Sequence, residues 1–517
     1  MSAPVAPDYS NLRGNVSFLG RLLGETIAAA DGDEFLALIE RIRGLSKSAR
    51  EGDAAAREAL LALLRDLDNA QLVPVARAFS QFLNLSNIAD QHNNVSRQMD
   101  PFLSASRNLA NGLQELAAEG ISQASVVASI RDLKIELVLT AHPTEITRRT
   151  LIHKHTEIGL CLAQLELEGL TERGRDRLHM RLRELIAQIW YGDDFRAQRP
   201  SPVDEAKWGF AVVEDSLWRA VPEYLRRLDT ALYDNCAVHL PLDAAPVSFV
   251  SWMGGDRDGN PNVTAQVTRE VLMLSRWQAA DLYLADVVHL VEELSMTSCS
   301  LALRELAGDA HEPYRAILRS LRDLLGRTRS AIEMQLGDEA PGEGDILHSS
   351  EQLWQPLEAC YRSLVDCGME LVANGALLDL LRKVQCFGVH LVQHDIRQDS
   401  ARHTGVLSEL TTYLGLGDYA AWDESVRQAF LLQELASRRP LIPGDWQPGA
   451  EVREVLDTCA VVASQPDGAL GAYVISMARQ PSDVLAVHLL LKETGCSANL
   501  PVAPLFETLD DLSRARE

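Results

Sequence analysis

Helical periodicity fills most of the chain, and five short apolar runs interrupt it, each ending in polar or glycine-rich sequence. Together these features predict a predominantly α-helical protein with a (β/α)8 TIM-like barrel, of which about the first five strands are present. The expected division is an N-terminal helical region over 1–130 and a partial (β/α) barrel with long helical insertions over 131–517.

The helical signal is carried by AAAREALLALLRDL (54–67), by RDRLHMRLRELIAQIW (175–190), and by Leu284, Val287, Val288, Val291 and Leu294 at three-and-four spacing. The strand candidates are IELVLT (135–140), VSFVSW (247–252), FGVHLV (387–392), AYVISM (472–477) and PVAPLF (501–506). They run into AHPTE, MGGDRDGNPN, QHDIRQDSARHT, ARQPSD and ETLDD. A strand buried on both faces reads as continuous apolar sequence, and its last residues emerge at the barrel mouth, where active sites gather. Loops are expected at LGDEAPGEGD (336–345) and RRPLIPGDWQPG (438–449). A complete barrel needs eight strands, so the expectation is that this chain is the front part of a longer protein.

Lys+Arg 49 against Asp+Glu 73 leaves a net charge of −24, which argues against nucleic acid and anionic membranes as partners. No stretch approaches the ~18 apolar residues of a membrane span. The N-terminal MSAPVAPDYSNLRGN lacks a basic segment followed by an apolar one, so a protein neither exported nor inserted is expected. The eight cysteines include no CxxC and read as reduced, buried thiols of a cytoplasmic protein.

Four motifs carry chemistry. In TAHPTE, Pro143 stiffens the backbone beyond His142, and Thr140 and Thr144 offer hydroxyls that could fix the ring's tautomer. A lone histidine at a strand end is more often structural, and Arg148 and Arg149 would ordinarily be a solvated helix face. In SWMGGDRDGNPNVT, glycines surround Asp256, Arg257 and Asp258, allowing close approach to a ligand; a turn locked by Asp–Arg pairs is the bland alternative. In QHDIRQDSARHT, alternation puts Gln393, Asp395 and Arg397 on one side and His394 on the other, with Arg397 suited to a bidentate grip on phosphate or carboxylate. His390 with His394, or the HxH of His153 and His155, is a poor zinc candidate for want of cysteine or acidic ligands at suitable spacing. In FETLDD, Glu507 suits Mg2+ or Mn2+, while Asp510 and Asp511 complement a helix N-terminus.

TAHPTE, SWMGGDRDGNP, DIRQDSARHT, YVISMARQPSDVLAVHLLLKE and PVAPLFETLDDL, with RPSPVDEAKWGFAVVEDSLW (199–218), closely resemble the phosphoenolpyruvate carboxylase family in order and spacing. The resemblance implies anaplerotic carbon fixation, in which phosphoenolpyruvate and bicarbonate give oxaloacetate and phosphate with Mg2+ or Mn2+, through carboxyphosphate and a metal-stabilised enolate. By the same resemblance His142 assists carboxyphosphate breakdown, Arg397 grips phosphate, Glu507 ligates the metal, Trp252 lines the bicarbonate pocket, and Arg257 belongs to the substrate-binding set. Arg148, Arg149 and Arg196 match an arginine group that receives an activating sugar phosphate in plant relatives. A cytoplasmic homo-oligomer, a tetramer in the family, is implied.

Two departures stand in the third motif, where the family usually has Arg at Gln393 and an aliphatic residue at His394. The family's second metal carboxylate, its catalytic lysine in a GYSDSAKD-type motif, its FHGRGG-type loop and its inhibitor-aspartate pocket are expected beyond residue 517. A C-terminal half would then complete the barrel, and the isolated chain should be inactive or very weakly active. The alternative is a catalytically incompetent helical scaffold or anion-binding module; another phosphoenolpyruvate-using barrel, a mutase or kinase, fits the ordered motifs less well.

Overall fold

The computed structural model describes residues 10–97, 101–140, 149–167, 169–192, 200–340 and 344–515, with the side chains at 94–97, 101–108, 149 and 514 left out of the description. The chain forms two compact units, residues 1–108 with 147–199, and residues 109–146 with 200–517.

The first unit is helical. Its long elements are Ser10–Asp31, Asp33–Arg50, Ala54–Asp66, Asn69–Arg97, Arg149–Leu165 and Glu172–Trp190. Each lays an apolar stripe onto a shared core containing Leu19, Leu22, Ile27, Ile158, Leu162, Leu182 and Ile186. Helix starts are fixed where the sequence supplies an oxygen: the Asp53 carboxylate accepts from Ala56 N at 3.1 Å, and the Thr171 hydroxyl from Gly174 N at 3.1 Å.

The second unit holds a parallel sheet of β1 (Ile135–Leu139), β2 (Val247–Ser251), β3 (Gln393–Asp399), β4 (Leu470–Ser476) and β5 (Val502–Pro504). The strands are ordered 1-2-3-4-5 and every neighbouring pair is parallel. Parallel neighbours require crossover connections, and here helices supply them. An order with no reversal differs from the doubly wound arrangement, which has a switch point. The helix-rich chain with its parallel strands is therefore as expected, whereas a closed eight-strand barrel goes beyond what five strands show.

Four of the five apolar runs fall on strands, with ends moved by one or two residues. FGVHLV (387–392) does not. Helix Leu378–Phe387 ends there, Gly388 and Leu391 take positive φ of 58° and 65°, and β3 begins only at Gln393. His390 therefore precedes the strand and does not share a face of it with His394. A short buried apolar run has no periodicity to separate strand from buried connection, and here it is a connection.

Two cores flank the sheet. One contains Phe249, Met253, Tyr283 and Phe387, with Phe249 and Phe387 stacked at 4.9 Å. The other contains Ile396, Leu407, Tyr473, Ile475 and Val487. All eight cysteines are free, and burial pushes the Cys360 and Cys459 thiols up to about 12, which keeps them inert. Among the described residues, no helix is long and apolar enough to cross a membrane.

Candidate functional site

The site is built where β2 ends. β2 and β3 pair only at Val250 with Gln393 and Ser251 with His394, after which the chain leaves the ladder. It turns at once: Gly255 N and Asp256 N both donate to the Trp252 carbonyl at 3.0 Å. It then rejoins β3, with Arg397 N donating to Gly255 O and Arg257 N to Arg397 O, each at 2.9 Å. Asp256 is thereby bridged to Arg397. Gly254 makes the turn with φ +73°, a region costly for any residue with a Cβ.

That excursion sets charges around one guanidinium. Arg397 Nη2 lies 2.7 Å from Asp258 Oδ2 and 3.5 Å from Glu507 Oε1, and Nη1 lies 3.5 Å from Asp256 Oδ2. The cation also sits 5.4 Å from the centroid of the Trp252 ring. Arg397 Nε is buried without a hydrogen-bond partner. Burial pushes the Asp256 carboxyl up from its ordinary range, and the Asp258 N–H and Arg397 oppose it. One guanidinium faces three carboxylates, so the cluster is acidic overall and favours a further cation.

Glu507 lies between β5 and the short helix Leu509–Arg514. The Thr508 hydroxyl accepts from Asp511 N at 3.1 Å, and Asp511 Oδ2 accepts from Thr508 N at 3.0 Å. Asp511 is thus the capping carboxylate, while Glu507, one residue before the cap, faces Arg397. A hard divalent cation wants oxygen and is commonly held by one or two carboxylates plus waters and substrate. Glu507 fits that as a single donor; among the described residues, no cluster of three or more His, Cys, Asp or Glu side chains could hold a metal.

Trp252, Arg397 and Glu507 are brought together. Arg257 is turned away: its buried guanidinium donates through Nη1 to Gly255 O at 3.0 Å and through Nη2 to Thr268 Oγ1 at 2.6 Å. Thr268 Oγ1 in turn donates to Gly254 O at 2.7 Å. Burial pushes the Arg257 guanidinium down from its ordinary value. His142, Arg148 and Arg196 lie outside the described residues, and of Arg149 only the backbone at the start of helix Arg149–Leu165 is described.

Sequence reasoning missed three things here. Asp256 and Asp258 lock a turn, but onto Arg397 across the sheet and not onto their neighbour Arg257. Thr268, in the helix Ala265–Glu293, carries no signal in the sequence. Asp395 was placed beside Arg397 by alternation but given no partner; it accepts from Trp252 Nε1 at 2.9 Å and from Ala472 N at 2.8 Å. His390 and His394 are buried, each with an unpartnered Nε2, and burial pushes both down to about 4.

The family model for phosphoenolpyruvate carboxylase matches residues 12–517. The chain is 57% identical over 514 residues to a protein of Pectobacterium carotovorum subsp. carotovorum (strain PC1) named phosphoenolpyruvate carboxylase, covering 98% of this chain and 58% of the relative. Proteins of the same name from Vibrio atlanticus (strain LGP32) and Edwardsiella ictaluri (strain 93-146) are 57% and 56% identical over 507 and 512 residues, again with 98% of this chain and 58% of theirs covered. The chain therefore spans a little over half the length of the curated relatives it matches. Ordered motifs, a parallel sheet with its charged cluster at the strand ends, and a family match over nearly every residue agree: this chain belongs to the phosphoenolpyruvate carboxylase family.

Proposed function

We propose that the chain contributes part of a carboxylase active site that forms oxaloacetate and phosphate from phosphoenolpyruvate and bicarbonate, on a barrel completed by a C-terminal half. The observation that carries this reading is the convergence of Asp256, Asp258 and Glu507 on Arg397, from segments following β2 and β5 onto β3. Arg397 is the phosphate grip: a guanidinium fork matches phosphoryl oxygens bidentately and offsets charge that builds up in transfer. Trp252 is the apolar wall of the bicarbonate pocket, where excluding water protects reactive intermediates. Arg257 acts as a positioning residue, since its hydrogen bonds to Gly255 and Thr268 hold the turn that carries Trp252, Asp256 and Asp258. His142 is the proposed proton-transfer group for carboxyphosphate breakdown, a role imidazole suits near neutral pH.

Glu507 would hold Mg2+ or Mn2+, which when bound supplies a Lewis acid for negative charge on substrate oxygen. Arg148, Arg149 and Arg196 are proposed as the site of an anionic effector. The complete enzyme is taken to be a cytoplasmic homo-oligomer. Because residues acting as one unit fail together, the chain alone should show no turnover or very little.

The test is a coupled assay for oxaloacetate from phosphoenolpyruvate, bicarbonate and Mg2+, on the chain with and without a separately expressed C-terminal half. Activity on mixing is expected. Full activity in the chain alone overturns the split-site reading, and inactivity of the mixture favours a scaffold.

A further inference from the structure

We propose that Asp395 is a positioning residue of this site, fixing the Trp252 indole as the platform beneath Arg397; the proposal rests on the carboxylase reading above. Asp395 is 8% exposed, and both of its carboxylate oxygens are engaged by donors from different segments. Oδ2 accepts from Trp252 Nε1 at 2.9 Å, and Oδ1 accepts from Ala472 N at 2.8 Å. The loop after β2 and the strand β4 are thus tied to one side chain of β3.

Space has been cleared around it. A Cβ at Gly471 would lie 2.6 Å from Asp395 Oδ1, and one at Gly255 would lie 2.0 Å from the Asp395 carbonyl oxygen. Either substituent would push the strand or the loop away, so two glycines permit the close approach that both hydrogen bonds need.

The consequence reaches the charged cluster through the indole. Anchored at Nε1, the Trp252 ring presents its face to the Arg397 guanidinium at 5.4 Å. A carboxylate at the N–H end of an indole also pushes electron density into the ring, which strengthens attraction for a cation on its face. Asp395 therefore touches neither phosphate nor bicarbonate, and acts by setting where Trp252 and Arg397 stand.

The isosteric change Asp395→Asn separates this role from packing. Trp252 Nε1 and Ala472 N are both donors, and an amide has a single acceptor oxygen. Whichever way the amide faces, one buried N–H is orphaned, an effect equivalent to about tenfold or more in an equilibrium. The experiment measures kcat/KM per folded protein for D395N, W252F and the double variant, each reconstituted with the C-terminal half, together with the 15N-indole spectrum of the chain. Expected are a shifted Trp252 indole resonance, a fall in kcat/KM of about tenfold or more for D395N, and a double variant no worse than W252F alone, because Phe has no N–H to orphan. An active wild type with an equally active D395N overturns the proposal alone, as do fully additive losses in the double variant. A reconstituted wild type that forms no oxaloacetate overturns the carboxylase reading and the proposal with it.

Discussion

Two regions of the sheet unit handle ionisable groups in opposite ways. At the strand ends, the Arg397 guanidinium is surrounded by Asp256, Asp258 and Glu507. Among the buried groups around β3, His390, His394 and His403 are deprived of charge: burial pushes each from an ordinary value of 6.5 down to about 4. His403 spends one ring nitrogen on the Tyr473 hydroxyl at 2.8 Å, while the Nε2 atoms of His390 and His394 have no partner. Counter-charges converge at the strand ends, whereas the three histidines are held neutral by their burial.

The largest effect that could break this comparison is acid destabilisation. A depressed histidine value means that the unfolded chain takes up the proton first, so stability is complete above about 6.5 and is lost as pH falls toward about 4. Each such histidine is worth on the order of 3 kcal/mol over that window. His390 and His394 also repel one another when charged, and Arg276 opposes the protonation of His390. Urea midpoints should therefore drop steeply between pH 7 and pH 5. His394→Leu should flatten the dependence; a wild type equally stable at both pH values would sink the contrast.

Next in size is Arg397→Lys. Lysine keeps the charge and loses the fork, so the reconstituted enzyme should lose roughly 10²–10³ in kcat/KM, the scale for removing one aimed donor from a transition state. Stability should barely move, since Arg397 contacts carboxylates that water also reaches. Thr268→Val should lower stability as well as activity, because the turn it loosens carries Trp252, Asp256 and Asp258. It removes the acceptor of Arg257 Nη2 and the donor to Gly254 O, leaving buried groups unsatisfied at about 1–3 kcal/mol, measurable by thermal unfolding. An equal loss of stability in both variants would mean that Arg397 and Arg257 are not the different arginines their surroundings imply.

The two regions were also unequally legible. Val247 to Ser251 and Leu470 to Ser476 read as strands because parallel strands buried on both faces are nearly continuous in apolar residues. The buried connection before β3 carries the same signal, so FGVHLV reads as the strand and QHDIRQD as its continuation, whereas β3 lies in QHDIRQD alone. The reach of Arg397 to Asp258 crosses 139 residues, and nothing local marks it. Gly255 reads as room for a ligand and Gly471 carries no reading, yet a Cβ at either would meet Asp395. His394 is a poor zinc candidate for want of further ligands, but sequence shows its residue type and hides its burial.

The smallest effect concerns how Glu507 is aimed. The helix Leu509–Arg514 is only six residues long, too short to hold itself together without its cap. Its first turn is closed by the reciprocal bonds of Thr508 and Asp511, at 3.1 and 3.0 Å. Thr508→Ala removes one of them and should cost about 1 kcal/mol locally, too little to change global unfolding in a chain of this size. Glu507 is bonded directly to Thr508, so loosening the turn frees its carboxylate to wander from Arg397. The expected signature is a weaker apparent affinity for Mn2+ in the reconstituted enzyme, with kcat at saturating metal unchanged. Serine at 508 restores the capping oxygen and should restore the affinity. If alanine and serine behave alike, the cap holds the helix only, and the aim of Glu507 is set by Arg397 itself.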